Sequence, residues 1–334
     1  MLRDAIRIGE RSAKNRLAMP PMATAKSTES GIVTDALIDY YRERTAGGSI
    51  GLVITEHSFI TQAGKASPGQ MSMASDDVIG PLKRLTDAIH AGGALAIAQL
   101  NHAGSAAVSS VTGLQNVGPS AVMNPGLKPG LQGELPRALE RSELPGIVRL
   151  FTDAASRARA AGYDGVEIHC AHGYLLNQFY SPLTNMRDDP YGPQNIENRI
   201  RLAAETVAAV RDLADEEDDG FIVAVRLGGA DYMEGGSTID DAANAAAILE
   251  DSGADLIDLS GGMCRFIRTD VTGPGYFSDM SLAVRKRVGV PVILTGGILE
   301  PEDAERLLSE GAADIIGVGR PVLADAGYAD RFMT

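Results

Sequence analysis

The chain has little cysteine: two in 334 residues, Cys170 and Cys264. That is too few for a disulfide framework or a cysteine-ligated cluster, so both are expected to be free thiols. It has no apolar run approaching the ~18 residues that cross a bilayer, so no membrane partner is expected. Its first residues, MLRDAIRIGERSAKNRLAMP, are charged and lack the apolar centre of a signal peptide, which makes the expected location cytoplasmic. Positive charge is in deficit, 30 Lys and Arg against 44 Asp and Glu, a net −14. Binding of nucleic acid needs a basic surface and is not expected; a local basic pocket around one phosphate is compatible with the deficit.

What is present reads as a globular α/β chain. Hydrophobic residues make up 44% and charged residues 22%, and the length suits either two ordinary domains or one α/β barrel with insertions. An apolar run at 17–19 stops at Pro20-Pro21, which can continue neither a helix nor a central ladder. Short apolar segments at 52–55, 94–100, 165–170, 221–227, 256–259, 291–294 and 314–318 read as further strands. Between them, helical spacing runs over 35–46, 76–91, 143–161, 196–213, 238–251, 281–287 and 302–309. Thr34 is placed to cap the first helix, and Gly47-Gly48, Gly92-Gly93 and Gly162 are placed as stops. Eight strands alternating with helices predict one (β/α)8 TIM barrel over residues 1–334, a parallel sheet covered by helices. A doubly wound open sheet is the alternative; against it, no G-x-G-x-x-G follows the first strand.

Glycine-rich turns fall late instead. Thr295-Gly296-Gly297 and Gly317-Val318-Gly319-Arg320 follow strands seven and eight, where barrels commonly bind phosphate: glycines let backbone N–H groups approach, and Arg320 can add a charge-assisted bond. Ordinary tight turns would have the same composition. The stretch 101–141 is rich in Gly, Pro, Ser and Asn, keeps no period, and is expected to form an irregular lid over the site. The densest chemistry lies in GVEIHCAHGYLLNQFYSPLTNMRDDPYGPQNIENR, which starts at Gly165. Val166, Ile168 and Cys170 alternate there with Glu167 and His169, and His172 and Tyr174 follow. Two imidazoles and a phenol at a strand end can hold an oxygen and deliver a proton. Surface histidines beside a core tyrosine are the alternative. Arg226 is also out of place, because a charge within an apolar strand needs a partner.

NRLAMPPM near the N-terminus, GLVITE, AQLNHAG, HCAHGYLLNQFYSPLTNMRDDPYG, VRLGG, LTGGI and GVGRP together resemble the Old Yellow Enzyme family of FMN-dependent oxidoreductases, in its short single-barrel bacterial form, over nearly the whole chain. The resemblance implies FMN as cofactor and NADH or NADPH as hydride donor. Taken residue by residue, it implies that Pro21, Met22 and Ala23 line the flavin through backbone groups and that Gln99 bonds the pyrimidine edge. Arg226 would lie near N1 and C2=O, where its charge stabilises the anionic reduced ring. Gly297, Gly319 and Arg320 would hold the FMN phosphate; His169 and His172 would bind the substrate oxygen. The implied activity is reduction of the C=C bond of α,β-unsaturated carbonyl compounds, enones or enals. Hydride would pass from flavin N5 to the β-carbon and a proton from Tyr174 to the α-carbon. On the same barrel, the alternatives are a reductase module of a dienoyl-CoA or steroid pathway, an oxidative demethylase, and a flavin-binding protein without turnover.

The chain departs from the family pattern in four places. Ala23 stands where relatives often carry a threonine or cysteine that tunes the flavin, with Thr24 beside it. His57 stands where the residue is usually small, which makes it either a wall of the substrate pocket or a packed histidine. YGPQNIENR is one residue longer than the usual turn. No cysteine-bearing iron–sulfur segment follows the last glycine turn, so electrons are expected directly from a nicotinamide nucleotide or from a partner protein. In the loop 264–276, Arg265 and Arg268 are candidates to contact a nucleotide or an acidic substrate, solvated charge being the other reading. A homo-oligomer is left open, because barrel helices bury against each other in monomers and assemblies alike.

Overall fold

The computed structural model describes residues 1–127, 130, 133–217 and 219–334. Two short strands come first, β1 (Ile6–Ile8) and β2 (Arg11–Ala13), paired antiparallel. The barrel follows with β3 (Leu17–Met19), β4 (Leu52–Phe59) and β5 (Leu95–Asn101). A two-residue parallel pair, β6 (Val117–Gly118) and β7 (Arg137–Ala138), lies outside it. The barrel resumes with β8 (Gly165–Cys170), β9 (Ile222–Ala230), β10 (Leu256–Gly261), β11 (Val292–Thr295) and β12 (Ile315–Gly317). All eight barrel strands are parallel, and β12 pairs with β3 to close the ring. The expected (β/α)8 barrel is the architecture.

The main helices between them are α1 (Asp35–Thr45), α2 (Ile79–Ala91), α3 (Ser109–Thr112), α4 (Leu144–Ala160), α5 (Leu175–Tyr180), α6 (Ile196–Asp215), α7 (Ile239–Asp251), α8 (Ser278–Arg285), α9 (Pro301–Ser309), α10 (Arg320–Ala324) and α11 (Tyr328–Phe332). Thr34 caps α1 as expected, its Oγ1 accepting from Leu37 N–H at 3.3 Å. Several edges move. β4 runs on to Phe59 through a register shift between Thr55 and Ser58, and β9 runs on to Ala230 through two glycines. α8 starts three residues before the expected 281–287, at a polar Ser278-Asp279 that carries no apolar period. The β1–β2 pair and α3, α5, α10 and α11 have no counterpart in the sequence reading, being too short to show a period.

Each barrel strand is buried on both faces, so the core has two compartments. Val166, Ile168 and Cys170 of β8 pack outward with the helices, which leaves Glu167 and His169 on the inner face. Inside, the lower end of the barrel is apolar. Ile8 and Ala13 of the β1–β2 hairpin are fully buried there with Leu52, Ile222, Leu256 and Ile315. The polar inner residues lie above this plug, at the end where the strands finish. Part of the irregular segment covers that end: Asn116 Nδ2 donates to Ser105 O and to Glu134 O, both at 3.1 Å, tying the segment to itself. Residues 128, 129, 131 and 132 of the expected lid lie outside the described residues. Among the described residues no helix is long and apolar enough to cross a membrane. Cys170 and Cys264 are both free thiols.

Candidate active site

A cavity of about 780 Å³ opens at the C-terminal ends of the strands, where barrel enzymes place their chemistry. The flavin and substrate residues singled out in the sequence line it, as does Arg265, whereas Arg268 does not. Pro21, Met22 and Ala23 follow β3, His57 is on β4, Gln99 on β5, His169 on β8, and His172 and Tyr174 on the turn after it. Arg226 is on β9, Gly297 follows β11, and Gly319 and Arg320 follow β12.

Four rings gather on one side. The His169 centroid lies 5.0 Å from His172 and 5.1 Å from Tyr174, each edge-on, while His57 stacks on Tyr174 at 5.7 Å. The histidines are not surface residues: His169 is 2% exposed and His172 9%. His172 holds a left-handed backbone, φ 60°, unusual for a side chain with a Cβ. Its N–H reaches Gly261 O at 3.2 Å, and its Nε2 lies 2.7 Å from Ser260 Oγ. His169 Nδ1 is buried without a partner among the described residues. Burial, reinforced by the Arg226 guanidinium, holds both imidazoles well below the usual histidine range, so both are neutral at pH 7. His57 is lowered to about 4, by burial first and then by Arg265 and Arg226. Burial pushes the Tyr174 phenol up, with the Arg265 guanidinium pulling the other way.

Beneath the rings lies a layer of buried charge. Arg226 Nε is 3.3 Å from Asp258 Oδ2, and Gln99 Nε2 donates to Glu167 Oε1 at 2.6 Å. Strand register makes this layer contiguous, pairing Gln99 with Glu167 and Arg226 with Asp258. Arg226 thus has the partner that its apolar strand demands. Both carboxyls are held above the ordinary range, by burial first and, for Glu167, by the neighbouring Asp258. Glu167 Oε2 and both Asp258 oxygens have no hydrogen-bond donor among the described residues. One proton shared between the two carboxyls would satisfy one oxygen of each and avoid two adjacent buried charges.

At the other end of the cavity the chain is stripped of side chains. Gly297 has φ +65°, and a Cβ there would lie 2.8 Å from Gly273 O. A Cβ on Gly319 would lie 2.9 Å from Met22 Sδ. The Thr295 hydroxyl between these turns is buried without a partner among the described residues.

Comparison with known proteins decides the family. The family model for NADH:flavin oxidoreductase / NADH oxidase matches residues 2–333. The chain belongs to that family. It is 37% identical over 332 residues to an NADH oxidase of Thermoanaerobacter brockii, covering 97% of this chain but only 49% of that protein. It thus spans about half the length of that relative. An NADPH dehydrogenase of Listeria monocytogenes is 35% identical over 319 residues, with 95% of this chain and 89% of that one covered. Among solved structures, the Old Yellow Enzyme homologue of Zymomonas mobilis superposes with a TM-score of 0.86 at 33% identity, covering 99% of this chain and 92% of that chain.

Membership in a flavin oxidoreductase family implies FMN as cofactor, and the cavity has groups that fit it. It has polar groups for a ring edge at Gln99 and Arg226, and an orphaned hydroxyl with bare backbone and Arg320 for a phosphate. Several residues that shape the site escaped the sequence reading. Ser260 fixes the His172 ring, and Gln70 Nε2 reaches His57 Nδ1 at 2.9 Å. Asn177 Oδ1 accepts from Gly173 N–H at 2.8 Å, and Gln178 Nε2 donates to Gly173 O at 2.6 Å and to Ala103 O at 3.0 Å, locking the turn that carries His172 and Tyr174. Asp258 had a signal that went unused: like Arg226, it is a charge within an apolar strand, LIDLS. Arg268 answers to neither sequence reading, being held by Asp270 at 2.6 Å and Asp279 at 2.7 Å over the Tyr232 ring.

Proposed function

We propose that the protein is an FMN-dependent ene-reductase, which uses NADH or NADPH to saturate the C=C bond of α,β-unsaturated carbonyl compounds. One observation carries this reading: two neutral imidazoles, His169 and His172, meet a protonated phenol, Tyr174, inside the cavity that holds the flavin residues. Bound FMN supplies the hydride, which it receives from the nucleotide.

The chain's own residues supply the rest. His172 Nε2 pairs with the Ser260 hydroxyl at 2.7 Å; with that hydroxyl as donor, the ring's own proton sits on Nδ1, available to a substrate oxygen. His169, a second neutral ring lining the same cavity, offers the second donor. A carbonyl oxygen between the two rings accepts from both, and these bonds strengthen as negative charge grows on oxygen, so they favour the transition state. Tyr174 delivers the proton to the α-carbon. Burial keeps the phenol protonated until then, and the Arg265 charge beside it favours the phenolate left behind. Pro21, Met22, Ala23, Gln99 and Arg226 hold the flavin ring; Gly297, Gly319 and Arg320 hold its phosphate; His57 forms one wall of the substrate pocket. The segment 101–141 serves as the lid of a single barrel unit over 1–334, with Val108, Val111 and Leu127 keeping water from the reacting carbons.

Anaerobic stopped-flow spectroscopy on the FMN-loaded protein tests this. NADH or NADPH should bleach the flavin band near ~450 nm, and cyclohexenone should restore it. Tyr174→Phe should slow only the second phase, by roughly 10²-fold or more, the usual worth of a positioned acid. Reduction without reoxidation by any enone would show that the substrate class is wrong.

A further inference from the structure

Arg265 stands apart from the other arginines around the site. Arg226 lies against Asp258, and Arg268 against Asp270 and Asp279. The Arg265 guanidinium donates from Nη1 to Gly126 O at 3.0 Å, lies beside the Tyr174 phenol, and is 5.8 Å from the Phe266 ring centroid. No carboxylate lies within ion-pair distance of it among the described residues. In a chain with 44 acids for 30 bases, a cavity cation without an acidic partner runs against the general balance. Its backbone runs against preference too: φ is +64°, one of four non-glycine residues in that region among the described residues. Holding a branched chain there costs on the order of 1 kcal/mol, a cost met where a side chain must be aimed. The loop folds tightly on the end of β10, where a Cβ on Gly261 would lie 2.1 Å from Arg265 O.

The guanidinium is aimed at the reacting centre. It lines the same cavity wall as Tyr174, His57, His169 and His172. The three imidazoles are neutral and the facing lid side chains, Val108, Val111 and Leu127, are apolar. This part of the cavity therefore holds one half-buried positive charge with no carboxylate partner among the described residues, which suits one negative charge on the molecule that fills it.

Building on the ene-reductase reading, we propose that Arg265 receives a carboxylate carried by the unsaturated substrate, so that the site prefers alkenes bearing both an activating carbonyl and an acid group. The carboxylate is read and not transformed. Hydride and proton add across the C=C bond, the electrons come from NADH or NADPH, and the acid leaves with the product. A nicotinamide nucleotide brings anionic phosphates to the same cavity, so the test has to separate the two sources.

The probes are (E)-4-oxopent-2-enoate and its methyl ester, bound to oxidised FMN-loaded protein and followed by calorimetry, with no reductant present. Acid and ester share the carbonyl that His169 and His172 would hold and differ in the charge. The acid should bind about tenfold tighter or more, the range of a charge-assisted hydrogen bond. Arg265→Gln should erase that preference, and Arg265→Lys should keep part of it. Equal binding of acid and ester to the unmodified protein would overturn the proposal without any variant. So would an Arg265→Gln protein that keeps the preference but is reduced slowly, which assigns the cation to the nucleotide. Failure of the ene-reductase reading looks different: the acid binds with the Arg265-dependent preference, yet does not reoxidise the reduced protein.

Discussion

Glu56 shows how far burial alone can move a charge here. It is 1% exposed at the upper end of β4, and its Oε2 accepts from Thr24 N–H at 3.0 Å. That bond and the Lys26 charge favour the carboxylate, but burial outweighs them and raises the pKa to about 7. Because the folded pKa lies above the unfolded one, folding takes up a proton between about pH 4.5 and 7. The stability this group contributes is fully present below about pH 4.5 and is lost as the pH climbs through 7. At pH 8 the buried carboxylate costs on the order of 3 kcal/mol. Glu56→Gln keeps an acceptor for Thr24 N–H and cannot ionise. Urea unfolding of the FMN-free protein should therefore show the variant more stable at pH 8 by up to that amount, and close to the parent at pH 5. A gap of equal size at both pH values would mean that packing, not charge, accounts for it. At this scale the sequence was legible where a residue was out of place for its segment, as Arg226 was. It was silent where meaning depends on a distant partner. Nothing near Gln70 points to His57, and nothing near Ser260 points to His172.

Elements were legible in proportion to their length. Six of the eight barrel strands, all but β3 and β12, lie between helices long enough to carry a period, and their order followed. The β1–β2 hairpin has three residues per strand, and α5 has six residues that are all buried, so neither leaves an alternating or helical trace. Their roles differ. α5 carries Asn177 and Gln178, which lock the turn bearing His172 and Tyr174, whereas the hairpin closes the barrel at the end away from the cavity. That separation is testable. Ile8 is fully buried among Leu52, Ile222 and Ile315, so Ile8→Ala should cost about 2–4 kcal/mol in urea unfolding. The rate of flavin reduction by NADH or NADPH at a temperature where the variant stays folded should not change. A large loss of reduction rate would show that the two ends of the barrel are coupled.

Across the whole molecule, the same cavity must be paid for by the rest of the fold. Its walls include orphaned buried groups, His169 Nδ1 and Thr295 Oγ1 among them, and glycine turns with little side-chain packing. Such a site lowers the stability of the empty protein, and a ligand bound only by the folded state returns it. FMN at a hundred times its dissociation constant should therefore add about 2.7 kcal/mol to unfolding, and a thousandfold excess about 4.1, seen as a urea midpoint that climbs with the logarithm of FMN concentration. Gly297→Ala separates cofactor binding from general damage. Its Cβ would meet Gly273 O in a conformation that only glycine adopts readily. The variant should lose stability without FMN, and it should also need more FMN to reach the same rise, because the turn that would face the phosphate has moved. If the FMN-free variant is weakened but its FMN curve keeps the parent's dissociation constant, the glycine serves the turn alone. The phosphate would then rest on Gly319 and Arg320 across the cavity.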